Sequence, residues 1–174
     1  MAELELWGCV CGEKGRRAAP KKIDQLEKWP TPRNCQQLNS FLCFVNYLRE
    51  YMDPKWIKYE TMLSPFRKKG MDFDALWSSD AKYEEAFNEI RLCLSRDVVL
   101  LHPDYNAAAR PDQTGRPFEI FVDANDYGWA AVLCQRPAPH VAPRIIAIIS
   151  RAFNDTQLSG SCTPCGKELL ALRG

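Results

Sequence analysis

Asp123 is the residue whose type and setting point most directly to chemistry. It ends the run Phe118-Glu119-Ile120-Phe121-Val122-Asp123, in which Phe118, Ile120 and Val122 alternate with Glu119, Phe121 and Asp123, the two-residue period of a pleated strand. Asn125, Asp126 and Gly128 then supply turn residues, and Trp129 to Leu133 form a second apolar run, as an antiparallel neighbour would. A carboxylate fixed on a strand just before a hairpin suits Mg²⁺, which takes hard oxygen ligands held rigidly. The plainer reading is a carboxylate that caps the turn. Cys9-Val10-Cys11 and Cys162-Thr163-Pro164-Cys165 could be halves of a zinc site, with His102 and His140 the histidines of the chain. These pairs are distant in sequence. Cys43, Cys93 and Cys134 lie in apolar periodic runs, where a thiol behaves as a small hydrophobe. Free thiols are therefore expected rather than a disulfide framework.

The elements that must position Asp123 belong to a chain of 174 residues, 46% hydrophobic and 26% charged, a globular composition with room for one ordinary domain or two small ones. Its apolar runs fall short of the roughly 20 residues a membrane span needs. The N-terminus Met1-Ala2-Glu3-Leu4-Glu5-Leu6 is acidic and unlike a signal peptide, so an intracellular location is expected, with the compartment open. The first 70 residues hold 13 Lys and Arg against 8 Asp and Glu, and the rest 10 against 14. A basic first half and an acidic second half fit a phosphate-contacting module joined to a metal-binding one, or ordinary surface charge.

In order along the chain, Leu4 to Cys11 reads as a strand, Gly12-Glu13-Lys14-Gly15 as a turn, and Pro20 as the start of a helix running to Trp29. Leu38, Phe41, Leu42, Val45 and Leu48 have strong helical spacing, capped by Asn34 or Thr31. Asp53 and Pro54 open a further helix bearing Trp56, Ile57, Met62, Leu63 and Phe66. Ser79 or Asp80 opens another, carrying Tyr83, Ala86, Phe87, Ile90, Cys93 and Leu94. Residues 103–117 are rich in Pro, Asp, Asn, Ala and Gly and read as a linker or long surface loop. Ile145 to Ile149 reads as a buried strand, and Lys167 to Leu172 as the first turns of a helix. The expected architecture is α+β. An N-terminal hairpin and helical segment occupy 1–102, a linker 103–117, and a sheet of three antiparallel strands with the start of a helix 118–174.

Taken together, these pieces resemble the reverse transcriptase of gypsy-type LTR retrotransposons, from the end of the polymerase palm into the ribonuclease H domain. Leu6-Trp7-Gly8-Cys9-Val10 is similar to the strand that begins the family's primer-contacting hairpin. Pro20-Lys21-Lys22-Ile23, Trp29-Pro30-Thr31-Pro32, Leu38-Asn39-Ser40-Phe41-Leu42 and Asn46-Tyr47-Leu48-Arg49 resemble its thumb. Leu63-Ser64-Pro65-Phe66, Trp77, Ala86-Phe87 and Leu101-His102-Pro103-Asp104 resemble the thumb-to-connection segment. Phe121-Val122-Asp123-Ala124-Asn125-Asp126, Gly128, Ala131-Val132-Leu133-Cys134-Gln135, Ser150-Arg151 and Lys167-Glu168-Leu169-Leu170-Ala171-Leu172 resemble the start of ribonuclease H, so the fold expected for 118–174 is a truncated ribonuclease H-like one.

The resemblance implies that Asp123 and Glu168 are catalytic, metal-ligating carboxylates, one on the first strand and one on the first helix, in a cluster holding two Mg²⁺ ions. In-line phosphodiester cleavage uses one metal to generate the attacking hydroxide and the other to stabilise the leaving oxygen. The family's polymerase aspartates are expected upstream of these residues and its later ribonuclease H acids beyond Gly174. Cys162 and Gly166 stand where the family often has an aromatic residue and a further glutamate. Asp123 and Glu168 are accordingly expected to be vestigial, with no Mg²⁺ held and no RNA cut by this stretch alone. Three readings follow: an inactive reverse transcriptase/ribonuclease H fragment; a non-catalytic retroelement-derived structural subunit, its open sheet edge covered by a protein partner; and a nucleic-acid binding module. In the third, Arg16, Arg17, Lys21, Lys22 and Arg33 would contact the backbone of a template-primer or RNA–DNA hybrid, weakly and with strong salt dependence.

Overall fold

Trp7 and Gly8 both have positive φ, 47° and 72°, and they fold the N-terminus into a meander. β1 (Leu4–Leu6), β2 (Cys9–Gly12) and β3 (Gly15–Ala18) form one antiparallel sheet in that order. These coordinates are a computed structural model, which describes residues 3–94 and 98–153. The single strand expected from Leu4 to Cys11 is therefore two strands, with Leu6 opposite Cys9. A two-residue hairpin turn takes left-handed backbone, which is cheap for Gly8 and unusual for an aromatic residue.

The helices follow. α1 (Pro20–Glu27) starts on its proline and buries Ile23 and Leu26. α2 (Cys35–Leu48) is capped by Asn34, whose Oδ1 accepts from the Gln37 N–H at 2.9 Å, and it buries the five apolar residues whose spacing announced it. Asp53 accepts from the Lys55 N–H at 3.0 Å, so the chain makes one more turn before α3 (Trp56–Leu63) than the Asp53-Pro54 pattern suggests. α4 (Phe73–Ser79), capped by Asp72, is too short for a helical period to show. α5 (Lys82–Leu92) buries Tyr83, Ala86, Phe87 and Ile90. Phe41 of α2 and Phe87 of α5 meet at 4.6 Å between ring centroids at the centre of the helical core, and Leu100 is fully buried on the same core. Backbone hydrogen bonds in both directions between Leu100 and Arg16 tie it to the first sheet.

Residues 103–117 carry two single turns, α6 (Tyr105–Ala108) and α7 (Pro111–Thr114). They are fastened by Gln135, which is completely buried. Its Oε1 accepts from the Asp104 N–H at 2.8 Å, and its Nε2 donates to the carbonyls of Asp104 and Arg116 at 2.9 and 3.1 Å.

β4 (Phe118–Ala124), β5 (Gly128–Gln135) and β6 (Arg144–Ala152) form the second antiparallel sheet, in that order. The three strands lie where alternation and apolar runs predicted them, and the α+β architecture is as expected. The helix expected over Lys167 to Leu172 lies outside the described residues. The sheet rests on the helices through α3: the Trp56 Nε1–H donates to Ser150 Oγ at 3.2 Å. Gly128 admits the close approach, since a Cβ there would sit 3.0 Å from Ile57 Cγ2 and clash with the Arg151 carbonyl. The Leu101 N–H donates to the Ile145 carbonyl at 2.6 Å. No helix among the described residues is long and apolar enough to cross a membrane.

Candidate metal cleft and nucleic-acid face

Asp123 stands near the end of β4, opposite Ala130 of β5, with its carboxylate exposed. It does not cap the hairpin. Asn125 does: its Oδ1 accepts from the N–H groups of Tyr127 and Gly128 at 2.8 and 3.1 Å. Asp123 instead lines a cleft of about 320 Å³ with Asp53, Lys55, Asn125 and Trp129. Asp53 and Lys55 come from the turn before α3, and the Lys55 ammonium lies 3.6 Å from Asp53 Oδ2. The donor set in the cleft is thus two carboxylates and one resident ammonium. Asn125 Oδ1, the remaining oxygen ligand, is already occupied by two backbone donors. Among the described residues no three His, Cys, Asp or Glu side chains gather as metal ligands would. Mg²⁺ displaces its water only for several hard oxygens acting together, so the described residues at Asp123 do not fit a two-ion site. Glu168 lies outside the described residues, as do Cys162 and Cys165 of the suggested zinc pairs.

The five basic residues singled out in the sequence are placed differently from one another. Arg16 is paired with Glu50 at 2.9 Å. Arg17 makes a two-pronged contact with Glu3 at 2.7 and 2.8 Å, which raises its pKa and lowers that of Glu3, the hydrogen bond being the larger cause. Lys21 is exposed on the first turn of α1. Lys22 Nζ stands 5.4 Å from the Phe44 ring centroid. Arg33 lies at the far end of α1, lining with Lys28, Trp29 and Ser40 a cleft of about 1040 Å³.

Lys22 belongs to a patch that basic residues alone do not reveal. The Trp7–Gly8 turn rests against it: a Cβ on Gly8 would lie 2.8 Å from Tyr47 Oη and 3.1 Å from the Lys22 side chain. Trp7 is 89% exposed and Tyr47 48% exposed, and burial raises the Tyr47 phenol above its ordinary pKa. An aromatic ring held outward on a turn beside an ammonium and a phenol suits nucleic acid, where bases stack on rings and phosphates meet cations. The exposed face of α2, with Gln36, Asn39, Ser40, Asn46 and Tyr47, is polar and uncharged, so nothing on it repels phosphate. Trp7 went unnoticed as a site residue because it reads as part of a strand. Asp53 went unnoticed because it lies 70 positions from Asp123 and reads as a helix cap.

The chain is similar in sequence to proteins of mobile elements. It is 27% identical over 172 residues, 99% of its own length and 12% of the relative's, to the retrovirus-related Pol polyprotein from transposon 412 of Drosophila melanogaster. It is 29% identical over 135 residues to the transposon Tf2-3 polyprotein of Schizosaccharomyces pombe, of which it covers 9%. It thus spans about an eighth or less of these relatives' length. Among solved structures it is similar to the foamy viral protease-reverse transcriptase in complex with RNA/DNA hybrid, with a TM-score of 0.68 at 17% identity over 98% of this chain and 21% of that one. The same protein in complex with dsDNA gives a TM-score of 0.68 over 99% and 33%. At that identity the likeness is one of fold. Residues 77–173, more than half of the sequence, match the RNase H-like domain found in reverse transcriptase, and the chain belongs to that family.

Proposed function

We propose that these residues form the thumb-to-ribonuclease H portion of a retroelement reverse transcriptase, and that on their own they hold a nucleic-acid backbone without cutting it. The observation that carries the reading is the composition of the Asp123 cleft, in which one further carboxylate, Asp53, is accompanied by the Lys55 ammonium. The chemistry implied by the resemblance needs Mg²⁺ ions a few Å apart, held by several carboxylates. Here a lysine already neutralises half of the described negative charge. Binding is supported by the patch of Trp7, Lys22 and Tyr47 and by the exposed Lys21 and Arg33. RNA–DNA hybrid or template-primer is the ligand class, since solved proteins of the same fold are complexes with RNA/DNA hybrid and with dsDNA.

The test is an assay of RNA-strand hydrolysis in a labelled hybrid, with Mg²⁺ and with Mn²⁺, for the parent chain, Asp123→Asn and Glu168→Gln. Equal, negligible turnover is expected in all three. Cleavage by the parent that both substitutions abolish overturns the non-catalytic reading. A second reading, a structural subunit within a larger assembly, is favoured by one observation: among the described residues β4 has β5 as its one strand neighbour, with Ile120 and Phe121 exposed.

A further inference from the structure

The cleft of about 1040 Å³ between the end of α1 and the start of α2 has room for a small ligand, at the top of the ~300–1,000 Å³ that such sites span. Its wall is stiff. Pro30 and Pro32 fix their own φ and restrict Trp29 and Thr31 before them, so the loop 29–32 has little freedom left to lose when the cleft is filled. Trp29 is half-buried, and its ring is held by Phe41 and Phe44, whose centroids lie 5.8 and 5.0 Å away. Lys28 and Arg33 stand at the two ends of this loop and line the same cleft. Among the described residues neither cation is in an ion pair, whereas Asp24, the carboxylate in the lining, already has an interaction of its own. Gln37 also lines the cleft. Its Oε1 accepts from the Arg33 N–H at 2.8 Å, which leaves the two N–H donors of its Nε2 for a ligand.

We propose that this cleft takes one unpaired nucleotide of a nucleic-acid strand, with its base against Trp29, a base-edge oxygen on Gln37 Nε2 and its phosphates on Lys28 and Arg33. The charges select an anion, since the cleft offers two cations without ion-pair partners and a carboxylate that is already engaged. The ring and the prolines select an anion that carries a flat apolar face, which a base has and a free phosphate lacks. The depth of the cleft selects an unpaired base. Inside a duplex the faces of a base are covered by its neighbours, and only a base out of the stack can enter a pocket. The exit path is also basic. Lys21 lies seven residues before Lys28 on the same face of α1, roughly 10 Å along the helix, and Lys22 of the Trp7 patch is its neighbour in the chain. A strand leaving the cleft along α1 therefore meets Lys21 before it reaches that patch. This inference rests on the nucleic-acid reading and deepens it: the patch holds the backbone, and the cleft recognises a free end or a base that stands out of the helix.

The test is fluorescence anisotropy with the full chain and two labelled RNA–DNA hybrids of one sequence, one blunt and one ending in a short run of unpaired thymidines. The quantity read is the ratio of the two affinities. The tailed hybrid is expected to bind at least about fivefold tighter, the least that one stacked base contributes. Lys28→Glu, which puts an anion at the cleft, removes that advantage, and Lys28→Arg keeps it. Lys28 is exposed, so both variants fold, as their circular dichroism will show. A second measurement locates the base: with 5-iododeoxyuridine in the tail, irradiation is expected to crosslink the strand to Trp29, identified by mass spectrometry. Equal affinities for the two hybrids overturn the proposal and leave the backbone-holding reading standing, whereas failure of both hybrids to bind overturns both. An advantage that survives Lys28→Glu, or a crosslink confined to Trp7, places the unpaired base elsewhere and overturns the proposal. An advantage that vanishes as protein concentration rises shows a second copy filling the cleft, and overturns it too.

Discussion

The indole Nε1–H of Trp56 donates to the Ser150 hydroxyl at 3.2 Å, joining α3 to β6 across 94 residues of sequence. Both residues are buried, so neither group has water to fall back on. Trp56 itself packs in the helical core, while Ser150 lies beside Ala130 on the same sheet face as Asp123. One side chain thus fixes where the sheet, and with it the Asp123 cleft, sits on the helices.

Trp56→Phe should lower stability, by about 1–3 kcal/mol for the stranded hydroxyl plus the loss of part of the ring's packing. Urea titration of the parent, Trp56→Phe, Ser150→Ala and the double variant forms a cycle that isolates the pair. In the Trp56→Phe background, Ser150→Ala should cost little. Strictly additive losses would show that the hydrogen bond contributes nothing.

Gln135→Leu should act on a different region. It removes the partner of the Asp104 N–H and of the carbonyls of Asp104 and Arg116, each backbone group losing about 1 kcal/mol or more. The segment 103–117 should open first, because α6 and α7 contribute little burial of their own. Amide hydrogen exchange is the measurement, with Asp104 and its neighbours expected to exchange faster while α5 is unchanged. Unaltered exchange at Asp104 would mean that the Asp104–Arg116 ion pair at 3.0 Å holds the segment alone.

These contacts mark the limit of what sequence shows. α2 and α5 were legible because five and four buried residues recur at helical spacing, and β4 to β6 because short apolar runs alternate with turn residues. The first turn was hidden, since nothing in the letters Trp7-Gly8 says that an aromatic residue will take positive φ. The clamp by Gln135 and the approach of Asp53 and Lys55 to Asp123 were hidden for a different reason. Each joins residues far apart in the chain, and only the packing of the sheet on α3 brings them together. The reading of Asp123 as a functional carboxylate came from its strand position, whereas its company in the cleft came from the fold.

Burial pushes the Cys93 thiol up to about 11, above the ordinary value near 9. The folded protein therefore keeps a proton that the unfolded chain releases, so the stability this thiol contributes is whole below about pH 9 and is lost as pH rises toward 11. Melting temperatures measured across that interval should fall for the parent and fall less steeply for Cys93→Ala. Cys134, also raised by burial, leaves a residual slope in the variant. Parallel slopes for the two proteins would place the pH sensitivity elsewhere.

Trp7 holds its ring outward at the first turn. Trp7→Ala should leave folding intact, because the side chain is 89% exposed and packs little. It should weaken binding of a labelled RNA–DNA hybrid or of single-stranded ends, where a base can stack, by about 1–3 kcal/mol. Lys22→Ala acts through charge. It should weaken binding to every sequence alike and reduce the slope of log affinity against log salt by about one. Arg17→Ala should matter less, since its guanidinium is already held by Glu3 and a phosphate would have to displace that partner. Fluorescence anisotropy at several salt concentrations distinguishes the three. If Trp7→Ala binds as the parent does while Arg17→Ala does not, the contact surface lies on the outer face of the first sheet rather than at its turn. Affinity independent of salt would remove phosphate contact as the basis of binding altogether.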